Sequence, residues 1–132
     1  GEMETDPAGK RVLVVEDERG IVDVVKRVLT SAGYTVTTAG DIASAYRQWH
    51  AAPRPYDVVL ADVVLPDGSG IALLEILEPR GKTRFIFSSG YLEDKREFDA
   101  IREGGYRFIH KPFNISTLKK VLAEEAALAE GP

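Results

Sequence analysis

The chain has 132 residues, 44% of them hydrophobic, which suits one compact domain with one core and leaves too little for two. Acids outnumber bases by 21 to 17, a formal charge of -4, so the basic surface that sequence-independent binding to nucleic acid or an anionic membrane needs is missing. Cysteine is absent, which excludes disulfides, thiolate catalysis and thiolate metal sites and fits a reducing cytoplasm. The longest apolar runs, Val12 to Val15 and Val58 to Ala61, fall far short of the ~20 residues that span a bilayer.

The chain opens Gly1-Glu2-Met3, with no charged-then-apolar leader, and reads as a processed chain or a piece of a longer protein; residues 1–9 are expected to be a disordered lead-in or a remnant of that processing, ahead of one domain over 10–130. Arg11 to Val15 is rich in β-branched residues and bounded by charge, so it reads as a buried strand. From Gly20 to Ala32, Ile21, Val24, Val25, Val28 and Leu29 follow helical spacing, and Gly33 supplies a C-terminal stop. Tyr34 to Thr38 reads as a second strand at a sheet edge. Asp41 offers an N-cap for a helix to about Ala51, with Ile42, Ala45, Tyr46 and Trp49 on one face, and Pro53 and Pro55 end it. Val58 to Ala61 is the third strand, and the loop from Asp62 to Ser69 leads to a short helix, Gly70 to Leu77, stopped by Pro79. Arg84 to Ser88 is the fourth strand, and a polar helix from about Glu93 to Glu103 follows, with Leu92, Phe98 and Ile101 as its large apolar residues. Tyr106 to Ile109 is the fifth strand, and Asn114 caps a last helix with Leu118, Val121, Leu122 and Leu128 on one face.

Strands alternating with helices of this length imply parallel strands joined by right-handed crossovers, with helices on both faces. Five such units are too few for an eight-fold barrel, so the expected class is α/β with an open, doubly wound parallel sheet. Ligands of such sheets bind outside the carboxyl ends of the strands. Those ends carry Glu16-Asp17-Glu18, Asp62, Ser88-Ser89-Gly90 and His110-Lys111-Pro112. Clustered carboxylates repel one another and are costly to bury, and a hard divalent cation with oxygen ligands, Mg²⁺ above all, offsets that repulsion. The lysine adds a point charge suited to phosphate and the serine a hydrogen-bond donor. A carboxylate nucleophile between a metal and a lysine is an arrangement that makes an aspartyl phosphate.

Each piece alone has a plainer reading: solvated acids, a surface lysine, a turn serine before Gly90. Joint occurrence at four strand ends is what points to one site. His50 and His110 lack ligand spacing and read as surface residues, and Trp49 with Tyr46 reads as core or partner contact. Gly68-Ser69-Gly70 lacks the third glycine and the Lys-Ser/Thr ending of a nucleotide loop.

From Arg11 to about Leu128 these motifs resemble the receiver domains of two-component response regulators and hybrid sensor histidine kinases. Val14 to Glu18 resembles the acidic pair closing the first strand; Asp62 to Gly70 resembles the phosphoacceptor loop, with proline four residues on and glycine eight. Ser88 to Tyr91 aligns Ser89, not Ser88, with the family's hydroxyl, and Phe108 to Phe113 resembles its lysine-proline-phenylalanine ending. The resemblance implies a flavodoxin-like (βα)5 fold with strand order 2-1-3-4-5. It implies that Asp62 takes a phosphoryl group from the phosphohistidine of a histidine kinase or phosphotransfer domain. Asp17, Asp62 and the backbone carbonyl of Val64 then bind Mg²⁺ directly and Glu16 through a water; Lys111 pairs with the phosphate, Ser89 donates to it, and Phe108 is the switch aromatic. The region from Tyr91 to Phe108 would report the switch. The resemblance also allows a homodimer through the face from the fourth helix to the fifth, a cytoplasmic location, and a hybrid histidine kinase as the parent chain. As an isolated domain it would not be a turnover enzyme.

The sequence departs from the family pattern at Leu65, where methionine is commoner, at Glu16, where aspartate is, and at Phe108, which lacks the tyrosine hydroxyl. Strand alternation would send Glu16 and Asp17 to opposite faces, so the strand must end before Asp17 for both to serve one site. Three rivals stand beside the phosphoacceptor. One is a receiver-like protein-binding module that is not phosphorylated. An aspartate-nucleophile hydrolase needs a second acid where Val64 stands, and a flavin carrier needs hydroxyls where the first strand ends in acids.

Overall fold

Short runs of branched residues pair in parallel and set the frame. The computed structural model describes residues 9–90 and 95–129. In chain order the elements are β1 (Arg11–Val15), α1 (Arg19–Ser31), β2 (Thr35–Ala39), α2 (Ile42–Ala51) and β3 (Val58–Asp62). A two-stranded ribbon follows, β4 (Val64–Leu65) and β5 (Gly68–Ser69), then a 3₁₀ turn (Gly70–Ala72) and α3 (Leu73–Ile76). The chain continues through β6 (Arg84–Ser89), α4 (Lys95–Glu103), β7 (Arg107–His110) and α5 (Ile115–Ala129). The main sheet has five parallel strands in the order β2-β1-β3-β6-β7. With the ribbon set aside this is the expected 2-1-3-4-5 order, and β2 lies at an edge. The lead-in over residues 1–8, the expected start of the fourth helix with Leu92, and Glu130 lie outside the described residues.

Period-two alternation divides the core into two layers. Leu13, Val15, Val59, Ala61, Phe85 and Phe87 face α2, α3 and α4. Val12, Val14, Val58, Leu60 and Ile86 face α1 and α5. Burial on both sides is why the central strands read as continuous apolar runs. Their register decides what the site receives. Val15 lies beside Ala61, Asp62 beside Ser88, and Ser89 beside His110, so the polar ends finish at one edge of the sheet.

The expected stops and caps are in place. Gly33 has φ 103 after α1, and Tyr34 N donates to Leu29 O at 3.0 Å, closing the helix in the left-handed manner that glycine permits. Asp41 accepts from Ser44 N at 2.8 Å, and its own amide donates to Ser44 Oγ at 3.3 Å, a reciprocal capping box. Asn114 caps α5 by accepting from Thr117 N at 2.7 Å. At the opposite end of the sheet, buried Glu125 of α5 accepts from Arg84 Nε at 3.0 Å and from Arg107 at 3.3 Å.

Three residues assigned to buried faces point elsewhere. Leu128 is 55% exposed, because Glu125, Ala126 and Ala129 take the packed side of α5 and successive residues turn by about 100°. Tyr46 is 49% exposed and lies against His50 with ring centroids 4.4 Å apart, while Ala45 and Trp49 go inward. Val24 is exposed too, since Val25 and Leu29 fill the sheet side of α1. The ribbon forms where the sequence reads as a loop from Asp62 to Ser69, since strands of two residues each are too short to show a period.

Candidate functional site

The end of β1 resolves the question of the two acids. The strand stops at Val15, Glu16 N donates to Ala39 O at 2.9 Å, and irregular backbone then carries Asp17 and Glu18 to α1. With alternation broken, one carboxylate oxygen each from Glu16, Asp17 and Asp62 lie within 4.8 Å of one another. Glu16 and Asp62 are buried and Asp17 is exposed. Such a set of hard oxygen donors fits a divalent cation of the Mg²⁺ type, which keeps several waters and accepts one or two carboxylates.

Lys111 follows β7, and its amide donates to Ser89 O at 3.0 Å, which fixes where the side chain starts. The ammonium donates to Asp62 Oδ2 at 2.8 Å, to Glu16 Oε1 at 3.0 Å and to Glu18 Oε1 at 3.5 Å. Burial by itself would lower the lysine's pKa, but the hydrogen bonds it donates to Asp62 and Glu16, with their charges, outweigh it and hold the pKa above its ordinary value. It is a fixed cation. Burial pushes the Glu16 carboxyl above its usual value of 4.5, the Asp62 charge adding to the shift; the Glu18 amide at 3.1 Å and Lys111 oppose it. The other oxygen of Asp62 accepts from Val64 N at 3.0 Å.

An open cavity of about 700 Å³ lies over this cluster, and Asp17, Asp62, Val64, Ser89, Glu97 and Lys111 are among its walls. Ser89 reaches it as the last residue of β6; Ser88 faces the α1 and α5 layer instead, as strand alternation requires. Phe108 does not line this cavity. It is half-buried on β7, edge-on to Phe98 at 5.8 Å and to His110 at 4.8 Å. Gly70 closes the loop floor: its amide donates to Val63 O at 2.8 Å, and a Cβ there would stand 2.1 Å from the Asp62 carbonyl oxygen.

Four contributions were not assigned from the sequence. Glu18 stood in the acidic run without a role; Glu97 of α4 carried no signal that it would reach the cavity. Asp67 sits in a Pro-Asp-Gly turn signal, yet its carboxylate accepts from two amides of α2. Gly70 was noted for its spacing, while the reason for it is the backbone approach to Asp62.

A doubly wound (βα)5 sheet whose carboxyl edge gathers three acids, a hydroxyl and a lysine defines a narrow class of domain. The chain belongs to the response regulator receiver domain family, whose profile matches residues 12–123, and is thus a receiver domain of two-component signalling. It is 34% identical over 125 residues to the sensor kinase CckA of Brucella abortus, covering 93% of this chain and 13% of that protein. The chain therefore spans a small part of that relative's length. The crystal structure of the receiver domain from the hybrid histidine kinase CckA matches with TM-score 0.74 and 29% identity, over 88% of this chain and 98% of that one. The solution structure of the beryllofluoride-activated NtrC4 receiver domain dimer matches with TM-score 0.73 and 30% identity, over 88% and 94%. Among the described residues no helix is long and apolar enough to cross a membrane.

Proposed function

We propose that the domain, over 10–130, accepts a phosphoryl group on Asp62 and relays it as a change of shape. The observation that carries this reading is the placement of Lys111, 2.8 Å from Asp62 within the acid cluster, with both side chains lining an open cavity. A pure binding module has no physical use for two buried acids held by one lysine, because burying like charges costs stability.

Asp62, Asp17 and the carbonyl of Val64 would hold Mg²⁺, with Glu16 acting through a water. When bound, Mg²⁺ neutralises phosphoryl oxygens and brings the nucleophile and the phosphoryl group together. A carboxylate oxygen of Asp62 attacks the phosphorus of a partner's phosphohistidine; the P–N bond breaks and the imidazole leaves with the electron pair. Lys111 exchanges one carboxylate contact for a phosphoryl oxygen, and Ser89 donates to another. The added charge of about -1.5 to -2 shifts the balance between two arrangements of the α4 and β7 region, with Phe108 following Ser89. The partner class is a histidine kinase or phosphotransfer domain in the cytoplasm, and a homodimer would form through the face from α4 to α5; that the NtrC4 receiver is a dimer supports self-association.

Intact-mass measurement after incubation with Mg²⁺ and a small acyl phosphate tests the reading. One added phosphoryl group, lost when a chelator replaces Mg²⁺, is expected. No mass gain under either condition would favour the unphosphorylated binding module.

A further inference from the structure

Asp67 stands at the turn of the ribbon, and its carboxylate accepts from Ile42 N at 2.8 Å and Ala43 N at 3.0 Å. These are the first two amides of α2, which lack acceptors within their own helix. The third, Ser44 N, is already taken by Asp41 at 2.8 Å. The helix thus has its own cap from the preceding residue, and a second carboxylate 25 residues away in sequence joins two separate elements. The ribbon also approaches α2 closely at Gly68, where an added Cβ would stand 3.2 Å from Ile42 Cδ1.

The near end of the ribbon is tied to the phosphoacceptor. Val64 N holds Asp62 Oδ1 at 3.0 Å, and Gly70 N holds Val63 O at 2.8 Å. Strands of two residues leave little slack between these ties and the turn. The far side of the connection carries its own reporter. Trp49 on α2 is the chain's one tryptophan, buried beside Tyr56 with ring centroids 6.0 Å apart.

We infer that Asp67 is a positioning residue that couples the Asp62 site to α2, the ribbon acting as the link. The inference rests on the phosphoacceptor reading and adds an element to it. Ligation at Asp62 and the Val64 carbonyl shifts the ribbon, and the two hydrogen bonds from Asp67 pass the shift to the first turn of α2. Coupling of this kind is reciprocal, so freeing α2 also weakens ligation at the site.

The test titrates the domain with Mg²⁺ and beryllofluoride, reading binding by calorimetry and α2 by Trp49 emission. In the wild type, binding is expected to change the emission. Asp67→Ala is expected to bind, more weakly, and to lose most of the emission change; Asp67→Asn, which keeps one acceptor oxygen, should retain part of it. Asp41→Ala uncaps α2 without touching the ribbon, so it should lower the melting temperature and leave the response intact. A full response in Asp67→Ala, or a wild type that binds with no change at Trp49, overturns the coupling alone. A wild type that gives no binding heat overturns the phosphoacceptor reading, and the coupling with it.

Discussion

Lys111 carries one positive charge into a pocket where Asp62, Glu16 and Glu18 all hold it, at 2.8, 3.0 and 3.5 Å. One ammonium cannot balance that set together with Asp17, and the surplus negative charge falls hardest on Glu16, which is buried and close to Asp62. Its carboxyl is pushed above the usual 4.5, first by burial and then by the Asp62 charge. A raised folded-state value means that the folded protein holds this proton more tightly than the unfolded chain does. The stability that Glu16 contributes is therefore complete below about pH 4.5 and is lost as pH rises through its folded-state value. Thermal unfolding in chelator should show wild-type stability falling across that window. Glu16→Gln should flatten the fall and be the more stable protein at neutral pH, and added Mg²⁺ should narrow the gap. Parallel stability–pH curves for the two proteins would refute this account of Glu16.

The loop from Asp62 to Gly70 is held by backbone as much as by side chains. Gly70 lies so near the Asp62 carbonyl that a methyl group would stand 2.1 Å from the oxygen, well inside contact distance. Gly70→Ala should therefore displace the ribbon, cost about 1–3 kcal/mol in denaturant unfolding, and weaken Mg²⁺ binding by calorimetry. Wild-type values for both would show that the loop relaxes freely. The glycine is visible in the sequence, but its reason is a tertiary approach that spacing does not encode. Similar limits apply elsewhere. Gly33 and Asp41 announce their roles because stops and caps are local chemistry. Tyr46 and Leu128 fit a helical apolar pattern yet face outward, since Trp49 and Ala129 already fill the space against the sheet. The convergence of Glu16 and Asp17 depends on the strand ending at Val15, and alternation alone argues against it.

Across the described residues the sheet separates the candidate site from its support. Its carboxyl edge gathers Asp62, Ser89 and Lys111, while its amino edge is closed by Glu125 between Arg84 and Arg107. The parallel sheet covered on both faces was readable, because buried parallel strands leave continuous apolar runs, whereas the strand order was implied only by the family resemblance; the closing ion pairs were not readable, because Glu125 looks like any helix-surface acid until α5 is docked. Glu125→Ala removes a buried partner of two arginines that are each more than a third exposed, so solvent recovers much of their charge. A loss of roughly 1–2 kcal/mol in thermal unfolding is expected, with phosphoryl uptake unchanged below the melting temperature; impaired uptake in a folded Glu125→Ala would contradict the separation. The central claim is the identity of the acceptor. Intact-mass measurement of wild type and Asp62→Asn, each incubated with Mg²⁺ and a small acyl phosphate, tests it most directly. One phosphoryl group on the wild type and none on a folded Asp62→Asn is the expected result, and equal uptake by both would place the acceptor elsewhere.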